Sequence, residues 1–301
     1  FNSQDTIERA VKSALNQDWS NKEIIIVDDY SKDGSLELLT KISSQEPSIS
    51  LIRNDKNLGY PASLNKAISK SQGDFLAIFD DDDENVKNRI SSQIRRILEF
   101  EKKCPKSLTL CYSNRNVYKT GAKFYDHVAY AIGRKKPEPF GEEVAKYLFG
   151  FPVDKRKTWG MFGSCTLIAR KSVFNKIGPF DESFRRSAEL DFAIRAAFAG
   201  AHFIAVNESL INMHKTKSSD KAGNIPLIYA LKLRKKYFSY LKSKNFYKSS
   251  IFIAYSNFYL NKKKRILGFI FRLLAFACSP ILLYEFLRRN FKILLIKKDI
   301  E

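Results

Sequence analysis

Apolar residues follow two alternating spacings over the first 220 residues of the chain. At positions 7, 10, 11, 14 and 15 they recur every three or four residues, which is typical of one face of a helix. At 24–27 and 75–79 they form short unbroken runs, which indicate buried strands of a mixed or parallel sheet. This alternation predicts an α/β domain. We expect further strands at 49–53, 108–112 and 201–206, the last at a sheet edge, and further helices at 36–42, 61–71, 84–100 and 187–199.

Carboxylates follow two of the predicted strands directly. Asp28 and Asp29 end the first apolar run, and four consecutive aspartates, Asp80–Asp83, end the second. In an open α/β sheet, ligands bind beyond the carboxyl ends of the strands, so we expect both groups on the same side of one sheet. Two like charges at roughly 4 Å repel by about 4 kcal/mol at an effective dielectric near 20, so the run favours a bound cation. Carboxylates suit a hard ion such as Mg²⁺ or Mn²⁺, whereas a solvated acidic loop is the alternative.

The last quarter of the chain has a different composition. Of the formal charge of +20, residues 231–298 contribute +16, from seventeen Lys and Arg and one acid, Glu285. The rest is close to neutral, which argues against a nucleic-acid-binding surface there. Within the apolar stretch 266–287, the longest charge-free run, 273–284, has twelve residues, whereas a membrane-spanning helix needs about 20. We therefore predict a domain over 1–220 and a helical, basic, amphipathic extension over 221–301.

Two interpretations of this extension remain open. Basic and aromatic side chains beside an apolar stretch are typical of a segment that lies on an anionic membrane. The alternative is a helical unit that packs on the first domain or forms a homo-oligomer. The cysteines have neither metal-binding nor disulfide-framework spacing, which favours free thiols in a reducing compartment. These features predict a cytoplasmic protein at the inner face of the cell membrane.

Several short motifs occur in a fixed order over roughly residues 1–220. They are Phe1-Asn2, the strand 23–29 followed by Ser31 and Asp33-Gly34, Asn57-Leu58-Gly59, Gly73-Asp74 and the run Asp80–Asp83. In order and spacing, this set resembles the family-2-type nucleotide-sugar glycosyltransferases of the GT-A fold. The resemblance implies a Rossmann-like, mixed central sheet flanked by helices. In that family a strand precedes the Phe-Asn pair, so we expect this sequence to lack the first strand of the domain.

The resemblance implies roles for four residues near the nucleotide. Asp28 and Asp29 match carboxylates beside the base and the ribose, and Asp29 is the one expected at the base. Arg53 and Asn57 are expected to line the nucleotide pocket. A structural role in a turn fits Asn57 equally well.

The aspartate run matches the DxD element of the family. The resemblance implies that Asp80 contacts the ribose or the metal, that Asp81 belongs to the nucleotide-sugar site, and that Asp82 ligates an Mn²⁺ or Mg²⁺ ion on the diphosphate. The fourth aspartate is expected to cap the following helix or to support the site from behind. A basic segment over the diphosphate would supply His214 as a metal ligand and Lys217 as a phosphate contact. The alternative is a histidine without a metal role.

A further acidic motif lies at the start of the predicted helix 187–199. Many relatives carry adjacent Glu-Asp there, and the second carboxylate is the catalytic base. This chain has Ala188-Glu189 instead, so Glu189 occupies the position of the base. Asp191 is the alternative base, although its i,i+4 spacing to Arg195 fits a structural ion pair. An acid in the first turn also fits the helix dipole without any catalytic role.

The resemblance implies hexosyl transfer from a nucleoside diphosphate sugar, expected to be a UDP-sugar, to a hydroxyl of a saccharide or lipid-linked acceptor in surface polysaccharide or glycolipid assembly. A general base accepts the hydroxyl proton, a metal offsets charge on the diphosphate, and the anomeric carbon inverts. Two alternatives remain. One is another Mg²⁺-dependent nucleotidyl- or phosphotransferase, although the sequence has no P-loop motif. The other is a non-catalytic sugar-nucleotide-binding subunit.

Overall fold

The computed structural model of the protein describes residues 1–216 and 223–284. The chain forms two compact units. The first comprises Phe1–Ala145 and Lys155–Lys217, and the second comprises Lys146–Asp154 and Ser218–Glu301. The boundary predicted at residue 220 falls in the segment 217–222, outside the described residues, and stays a prediction. Sequence analysis did not anticipate that Lys146–Asp154 belongs with the C-terminal unit.

Helices and strands alternate along the first unit. Its helices are α1 (Ile7–Leu15), α2 (Ser35–Gln45), α3 (Tyr60–Lys70), α4 (Arg89–Lys103), α6 (Lys171–Ile177) and α7 (Ala188–Phe198), and α5 (Glu142–Phe149) contains one boundary between the units. Its strands are β1 (Ile24–Asp28), β2 (Ile49–Arg53), β3 (Phe75–Ala77), β4 (Glu84–Asn85), β5 (Thr109–Tyr118), β6 (His127–Ala129), β7 (Ile168–Arg170) and β8 (His202–His214). This confirms the α/β class that the apolar pattern predicts.

The strands form two hydrogen-bonded sheets. β1 and β2 pair in parallel, from Ile24 opposite Ile49 to Asp28 opposite Arg53. The other six form a mixed sheet in the order β3-β7-β5-β8-β4, with β6 paired to β5. In it β5 and β8 are parallel, and the other neighbours are antiparallel. The expectation that the two acidic loops follow strands of one sheet is therefore wrong, because β1 bonds to β2 whereas β3 bonds to β7.

Two apolar clusters among the described residues contribute to the core of the first unit. One joins α1 and α2 to the sheet of β1 and β2 through Ile7, Val11, Leu39 and Ile49. The other packs α4 on the mixed sheet through Ile94, Ile97, Phe100, Cys111, Ile168 and Ile204. Burying one such large apolar side chain contributes about 1.5–3 kcal/mol relative to leaving it exposed. Positions 7, 10 and 11 of α1 are therefore buried, as the sequence pattern predicts. The strand runs are only partly buried, with Leu76 and Ile78 as their buried members.

The segment after the aspartate run corrects one prediction. The helix predicted from residue 84 begins only at Arg89, after Asn88. Glu84 and Asn85 instead pair with β8 as the short strand β4. The expectation that Asp83 caps the helix is wrong for the same reason, because a strand separates the two.

The last strand of the first unit corrects another. A strand was expected only at 201–206 and at a sheet edge, but β8 continues to His214 and lies between β5 and β4. Its parallel pairing with β5 resumes after register shifts around Asn114, where β8 contains extra residues. Such bulges bend a strand and change the direction of its side chains. The extension carries His214 back to the aspartate run.

The described residues of the second unit are largely helical. They form the end of α5 and four further helices: α8 (Ile225–Lys236), α9 (Phe238–Ser243), α10 (Tyr247–Asn261) and α11 (Arg265–Ala277). None of the helices in 1–216 and 223–284 combines the length and the apolar character that crossing a bilayer requires.

Candidate active site

Asp29 fastens the loop after β1 to the turn before α3. Its Oδ1 accepts hydrogen bonds from Asn54 Nδ2 and the Leu58 backbone N–H, and its Oδ2 accepts one from the Gly59 N–H, each at 2.8 Å. Gly59 has a φ of +89°, which favours glycine because it has no Cβ. Asn57 Nδ2 lies 3.4 Å from the Asp29 carbonyl oxygen. Both Asp29 oxygens are thus engaged by the chain itself, and its contact with the base stays a prediction.

Asp28 and Arg53 form a pair at the ends of β1 and β2. The buried Asp28 accepts a hydrogen bond from the Ser31 N–H at 3.2 Å, and Arg53 Nε lies 3.7 Å from its Oδ2. The Arg53 side chain is 48% exposed. Its guanidinium lies 5.4 Å from the ring centre of Tyr30. An exposed cation beside an aromatic ring suits a ligand with both phosphate and a planar base.

Asp80 lies among several other carboxylates. Tyr60 Oη is 3.4 Å from its Oδ1. Burial raises the pKa of Asp80 well above its ordinary value. Neighbouring carboxylates raise that pKa further, in decreasing order of effect Asp83, Asp82, Asp81 and Glu189. The charge repulsion expected from the sequence is therefore present, and it includes a residue from the distant helix α7.

Asp83 is a further carboxyl of this group and, unlike the half-buried Asp80, it is fully buried. Its Oδ1 accepts a hydrogen bond from the His214 backbone N–H at 3.3 Å. Burial, and then the charge of Asp82, raise the pKa of Asp83 to about 7, although the guanidinium of Arg115 opposes this shift. A cation bound at this carboxyl would favour its ionised form, because the cation offsets the repulsion from the neighbouring carboxylates.

Asp80, Asp83 and Cys165 bring potential metal ligands together. One ligating atom from each lies within 4.8 Å of the others. Arg115 Nη1 donates a hydrogen bond to Cys165 Sγ at 3.1 Å, and burial raises the pKa of this thiol. The two carboxylates fit a hard divalent ion, whereas the sulfur is a softer ligand. These residues therefore fit the predicted metal ion. Of the three, only Asp80 belongs to the ligand set that the sequence predicts.

Asp82 and His214 were expected to be metal ligands, and they have other contacts. Thr216 Oγ1 donates a hydrogen bond to Asp82 Oδ2 at 2.7 Å. His214 stacks on Tyr118 at 4.9 Å, and within residues 1–216 and 223–284 its buried Nε2 has no hydrogen-bond partner. Burial, and then Arg9, lower the pKa of His214, so its imidazole is neutral near pH 7. Both metal assignments stay predictions, and Lys217 lies outside the described residues.

Arg89 holds the backbone directly after β3 by hydrogen bonds. This fully buried side chain donates hydrogen bonds to the Ile78 carbonyl at 2.9 Å, to Asn85 Oδ1 at 2.5 Å and to Gln93 Oε1 at 3.1 Å. Burial lowers its pKa to about 10, so the guanidinium stays charged at neutral pH. It therefore fixes the backbone two residues before Asp80 and places a positive charge behind the carboxylates.

Tyr60 connects the Asp29 loop with the aspartate run. It begins α3 directly after Gly59. Its hydroxyl lies 3.0 Å from Ser164 Oγ, in the short 3-10 helix Ser164–Thr166, and 3.4 Å from Asp80. Because the hydroxyl has one proton, it donates to one of these oxygens at a time. The two acidic loops therefore lie together although their strands belong to different sheets.

Glu189 and Asp191 differ sharply in their surroundings. Glu189 is partly exposed in the first turn of α7, close enough to Asp80 to raise the pKa of that carboxyl. Asp191 is fully buried, and its Oδ2 accepts a hydrogen bond from Arg195 Nε at 2.8 Å. Arg195 in turn donates to the Ile177 and Pro179 carbonyls. This geometry favours Glu189 as the base and a structural role for Asp191.

Three residues of the site were not identified from the sequence. Tyr60 could have been suspected, because it follows the Asn57-Leu58-Gly59 motif directly. Cys165 and Arg115 carry no such signal. Arg115 lies on the part of β5 beyond the predicted strand, and its contact with Cys165 joins residues 50 positions apart.

Comparison with known proteins identifies relatives of this chain. The family model described as glycosyl transferase family 2 matches residues 1–177. The chain is 26% identical over 217 residues to the amylovoran biosynthesis glycosyltransferase AmsB of Erwinia amylovora, covering 71% of this chain and 67% of AmsB. It is 36% identical over 214 residues to the Escherichia coli UDP-Glc:alpha-D-GlcNAc-diphosphoundecaprenol beta-1,3-glucosyltransferase WfaP, covering 71% of this chain and 73% of WfaP. Two further curated glycosyltransferases are matched over only 39% of their length.

Solved structures of S. aureus TarS share the fold. Residues 1–349 of TarS superpose with a TM-score of 0.57 at 14% identity, over 86% of this chain and 70% of that chain. The complex of TarS 1–349 with UDP-GlcNAc gives a TM-score of 0.54 at 14% identity, over 94% and 86% of the two chains. This likeness confirms the GT-A fold that the motifs imply. Because the family model spans more than half of the chain, the protein belongs to glycosyl transferase family 2.

Proposed function

We propose that this protein transfers a sugar from a UDP-sugar to a hydroxyl of a saccharide or lipid-linked acceptor, with inversion at the anomeric carbon. The observation that carries the proposal is the proximity of Glu189 to Asp80. Glu189 comes from α7, far along the chain from the aspartate run, yet its charge raises the pKa of Asp80. A donor-side carboxylate cluster and a partly exposed carboxylate for the acceptor therefore lie together.

The donor binds in the region that Asp28, Arg53 and the aspartate run line. Arg53 interacts with the nucleotide and Asp80 with the ribose or the diphosphate end of the donor. The names of two relatives support a UDP-linked donor: WfaP is named for transfer from UDP-Glc, and TarS 1–349 was crystallised with UDP and with UDP-GlcNAc. Asn57 stabilises this region, because it belongs to the turn that is hydrogen-bonded to Asp29.

A divalent cation, Mn²⁺ or Mg²⁺, completes the donor site. Asp80 and Asp83 would hold it, with Asp82 within reach once Thr216 releases its carboxylate. When bound, such an ion offsets the negative charge that develops on the leaving diphosphate. The chain's own contribution is to keep these carboxyls close together, which Arg89 and β4 do by fixing the backbone on both sides of the run.

Glu189 is the general base. Its carboxylate accepts the proton of the acceptor hydroxyl as that oxygen bonds to the anomeric carbon, while the bond from this carbon to the UDP oxygen breaks and UDP leaves. A positioned base of this kind contributes about 10²–10⁴-fold to the rate. Asp191 does not take part in the proton transfer; it holds Arg195, which bonds the loop before α7.

The acceptor is saccharide in nature and is carried on a lipid. The name of WfaP, which includes a diphosphoundecaprenol-linked acceptor, supports this part of the proposal. A lipid-linked acceptor requires the enzyme at a membrane surface, and the excess of seventeen Lys and Arg over one acid in 231–298 suits the anionic inner face of the cell membrane.

A UDP-release assay tests the proposal. The full chain is incubated with a panel of UDP-sugars and with GlcNAc-diphosphoundecaprenol or soluble saccharides, in Mn²⁺ or in EDTA. We expect metal-dependent release of UDP with one donor, and a loss of about 10²-fold or more in kcat for Glu189→Gln. Glu37→Gln is the matched control, because Glu37 is an exposed acid in the first turn of α2.

Other outcomes assign the chain differently. Full activity in Glu189→Gln, with loss only in a folded Asp191→Asn, would move the base to Asp191. Release of pyrophosphate in place of UDP would indicate nucleotidyl transfer. Binding of UDP without release from any donor and acceptor pair would indicate a binding subunit, and activity that persists in EDTA would remove the metal from the reaction.

A further inference from the structure

One side of α11 packs on α10. Ser256 Oγ donates a hydrogen bond to the Gly268 carbonyl at 2.7 Å, and the Phe271 ring stacks on Tyr255 at 4.9 Å. A Cβ at Gly268 would lie 2.6 Å from Leu260 Cγ, so the helices approach as closely as glycine permits. This contact fixes which side of α11 faces away from α10.

The opposite side of α11 is apolar and exposed. Four residues at helical spacing form it: Ile266, Phe269, Ile270 and Leu273, with exposed fractions of 78%, 58%, 45% and 48%. We call these four residues the outer face of α11. A helix at a protein surface usually turns its apolar side inward and its polar side to water. In α11 the outward side is apolar as well as the inward one, which indicates a partner that accepts apolar side chains.

Four consecutive cations precede this face. Lys262, Lys263, Lys264 and Arg265 are all exposed, and residues 262–284 contain no acid. Positive charge at the beginning of a helix is unfavourable, because the helix dipole is positive there. An anion at this end would stabilise the helix as well as the four side chains. The segment therefore combines a stripe that favours an apolar phase with a cluster that favours phosphate.

We propose that the outer face of α11 and residues 262–265 bind an anionic lipid surface, with the helix lying in the plane of the interface. The four apolar side chains enter the acyl boundary, and the cations contact lipid phosphates. A helix of 13 residues is about 20 Å long, short of the roughly 30 Å hydrocarbon core, so it lies on the bilayer and does not cross it.

A lipid surface fits this segment better than a second protein does. Lysine is depleted from protein–protein interfaces, whereas three of the four cations beside the outer face are lysines. Two copies joined through this face would also bring two such clusters together. The proposal names the membrane contact of the proposed glycosyltransferase, but it does not depend on the transfer reaction.

Vesicle co-sedimentation of the full chain tests it without donor or acceptor. We expect the protein to sediment with phosphatidylcholine vesicles that contain phosphatidylglycerol and to remain in solution with phosphatidylcholine alone. The triple variant Lys262→Gln, Lys263→Gln, Lys264→Gln should lower the partition coefficient about tenfold or more, since each cation near an anionic surface contributes several-fold. The double variant Phe269→Ser, Leu273→Ser should lower it to a similar extent.

Matched controls come from the first unit. Lys102→Gln with Lys103→Gln removes two exposed cations from the last turn of α4, and Phe124→Ser removes a phenylalanine that is 78% exposed. Both should sediment like the unchanged protein. Circular dichroism and thermal melting establish that every variant is folded.

Three results would overturn the proposal. The unchanged protein could remain in solution with anionic vesicles at low salt. The Phe269→Ser, Leu273→Ser variant could sediment as well as the unchanged protein. Light scattering could show a dimer that this variant abolishes while vesicle binding is absent, which would make the outer face a contact between two copies. None of these results affects the UDP-release assay, so the two proposals fail separately.

Discussion

At the residue scale, the candidate site depends on carboxyl groups held away from their usual ionisation. The half-buried Asp80 lies beside the buried Asp83, and both have raised pKa values. Arg89 and Arg115 lie nearby and limit this effect on Asp83. Without a bound cation, these carboxyl groups therefore lower the free energy of unfolding, and this loss can be measured.

The pKa of Asp83 predicts how stability depends on pH. In the metal-free folded protein it is about 7, whereas an unfolded chain releases this proton near pH 4. Between these values the folded state binds more protons than the unfolded state, so stability falls as pH rises, by up to about 1.4 kcal/mol per pH unit. We expect the free energy of unfolding of the unchanged protein, minus that of Asp83→Asn, to decrease from pH 5 to pH 8 in EDTA.

Urea denaturation at the two pH values measures this difference. Asp55→Asn, at an exposed position in the same unit, is the control and should show a difference that does not change with pH. Adding Mn²⁺ at pH 8 should stabilise the unchanged protein more than Asp83→Asn, because a ligand that binds only the folded state raises its stability. A pH-independent difference for Asp83→Asn would show that this carboxyl ionises normally.

Sequence motifs identify the acids of the site better than the groups that surround them. Asp80 follows from a local pattern, the acidic run directly after an apolar strand, whereas Glu189 follows from the family resemblance at the start of a predicted helix. Tyr60, Arg115 and Cys165 reach the site through contacts between distant residues, such as the 104-residue separation of Tyr60 and Ser164. No local pattern encodes such a contact, so the contacts of these three side chains required the structure.

At the element scale, the corner between β3 and α4 positions the aspartate run. β3 leads into it, and β4, which pairs with β8, follows it. α4 begins four residues after the end of β4 at Asn85. Arg89, the first residue of α4, bonds backward to Ile78 and Asn85. One buried side chain thus joins the strand before the site, the strand after it and the helix behind it.

Replacing Arg89 should therefore be costly. Arg89→Met fills a similar volume but leaves the Ile78 carbonyl, Asn85 and Gln93 without their donor. We expect a loss of about 3–5 kcal/mol in the free energy of unfolding, as for other buried charged groups whose partner is removed. Arg95→Met, on the exposed side of the same helix, should change it by no more than about 0.5 kcal/mol. Chemical denaturation measures both, and equal losses would contradict this role.

Helices and strands were predictable to different degrees. α1, α3 and α7 lie close to their predicted ranges. For α1 the reason is that its apolar face at helical spacing packs on the sheet of β1 and β2. β4 was missed because two polar residues form it only by pairing with β8, more than 120 residues later. The length of β8 was missed because the exposed polar residues Asn207 and Glu208 interrupt its apolar run at the bulge.

At the scale of the whole molecule, charge and chemistry are unevenly distributed along the chain. Residues 231–298 carry a net charge of +16 out of +20, while the carboxylate site lies in the first unit. Salt should therefore act on membrane attachment much more than on the reaction itself.

Salt dependence distinguishes the proposed membrane attachment from the transfer reaction. At 1 M ionic strength the Debye length is about 3 Å, compared with about 10 Å at 0.1 M, so exposed cations interact weakly with anionic lipid. We expect raised salt to reduce sugar transfer to an acceptor embedded in anionic vesicles about tenfold. Transfer to a water-soluble acceptor analogue should change by less than about twofold. Equal losses with both acceptors would place the salt effect at the donor site instead.

The site is also built from residues that are far apart in the chain, and this affects when it can form. The hydrogen bond between Thr216 and Asp82 spans 134 residues, and the one between His214 and Asp83 spans 131. A chain that emerges from the ribosome has its aspartate run available long before β8 exists to complete the sheet around it. Contacts of such long range form slowly and late. The ability to bind a sugar nucleotide would thus appear only when the first unit has finished folding, and donor binding can serve as a marker of that moment.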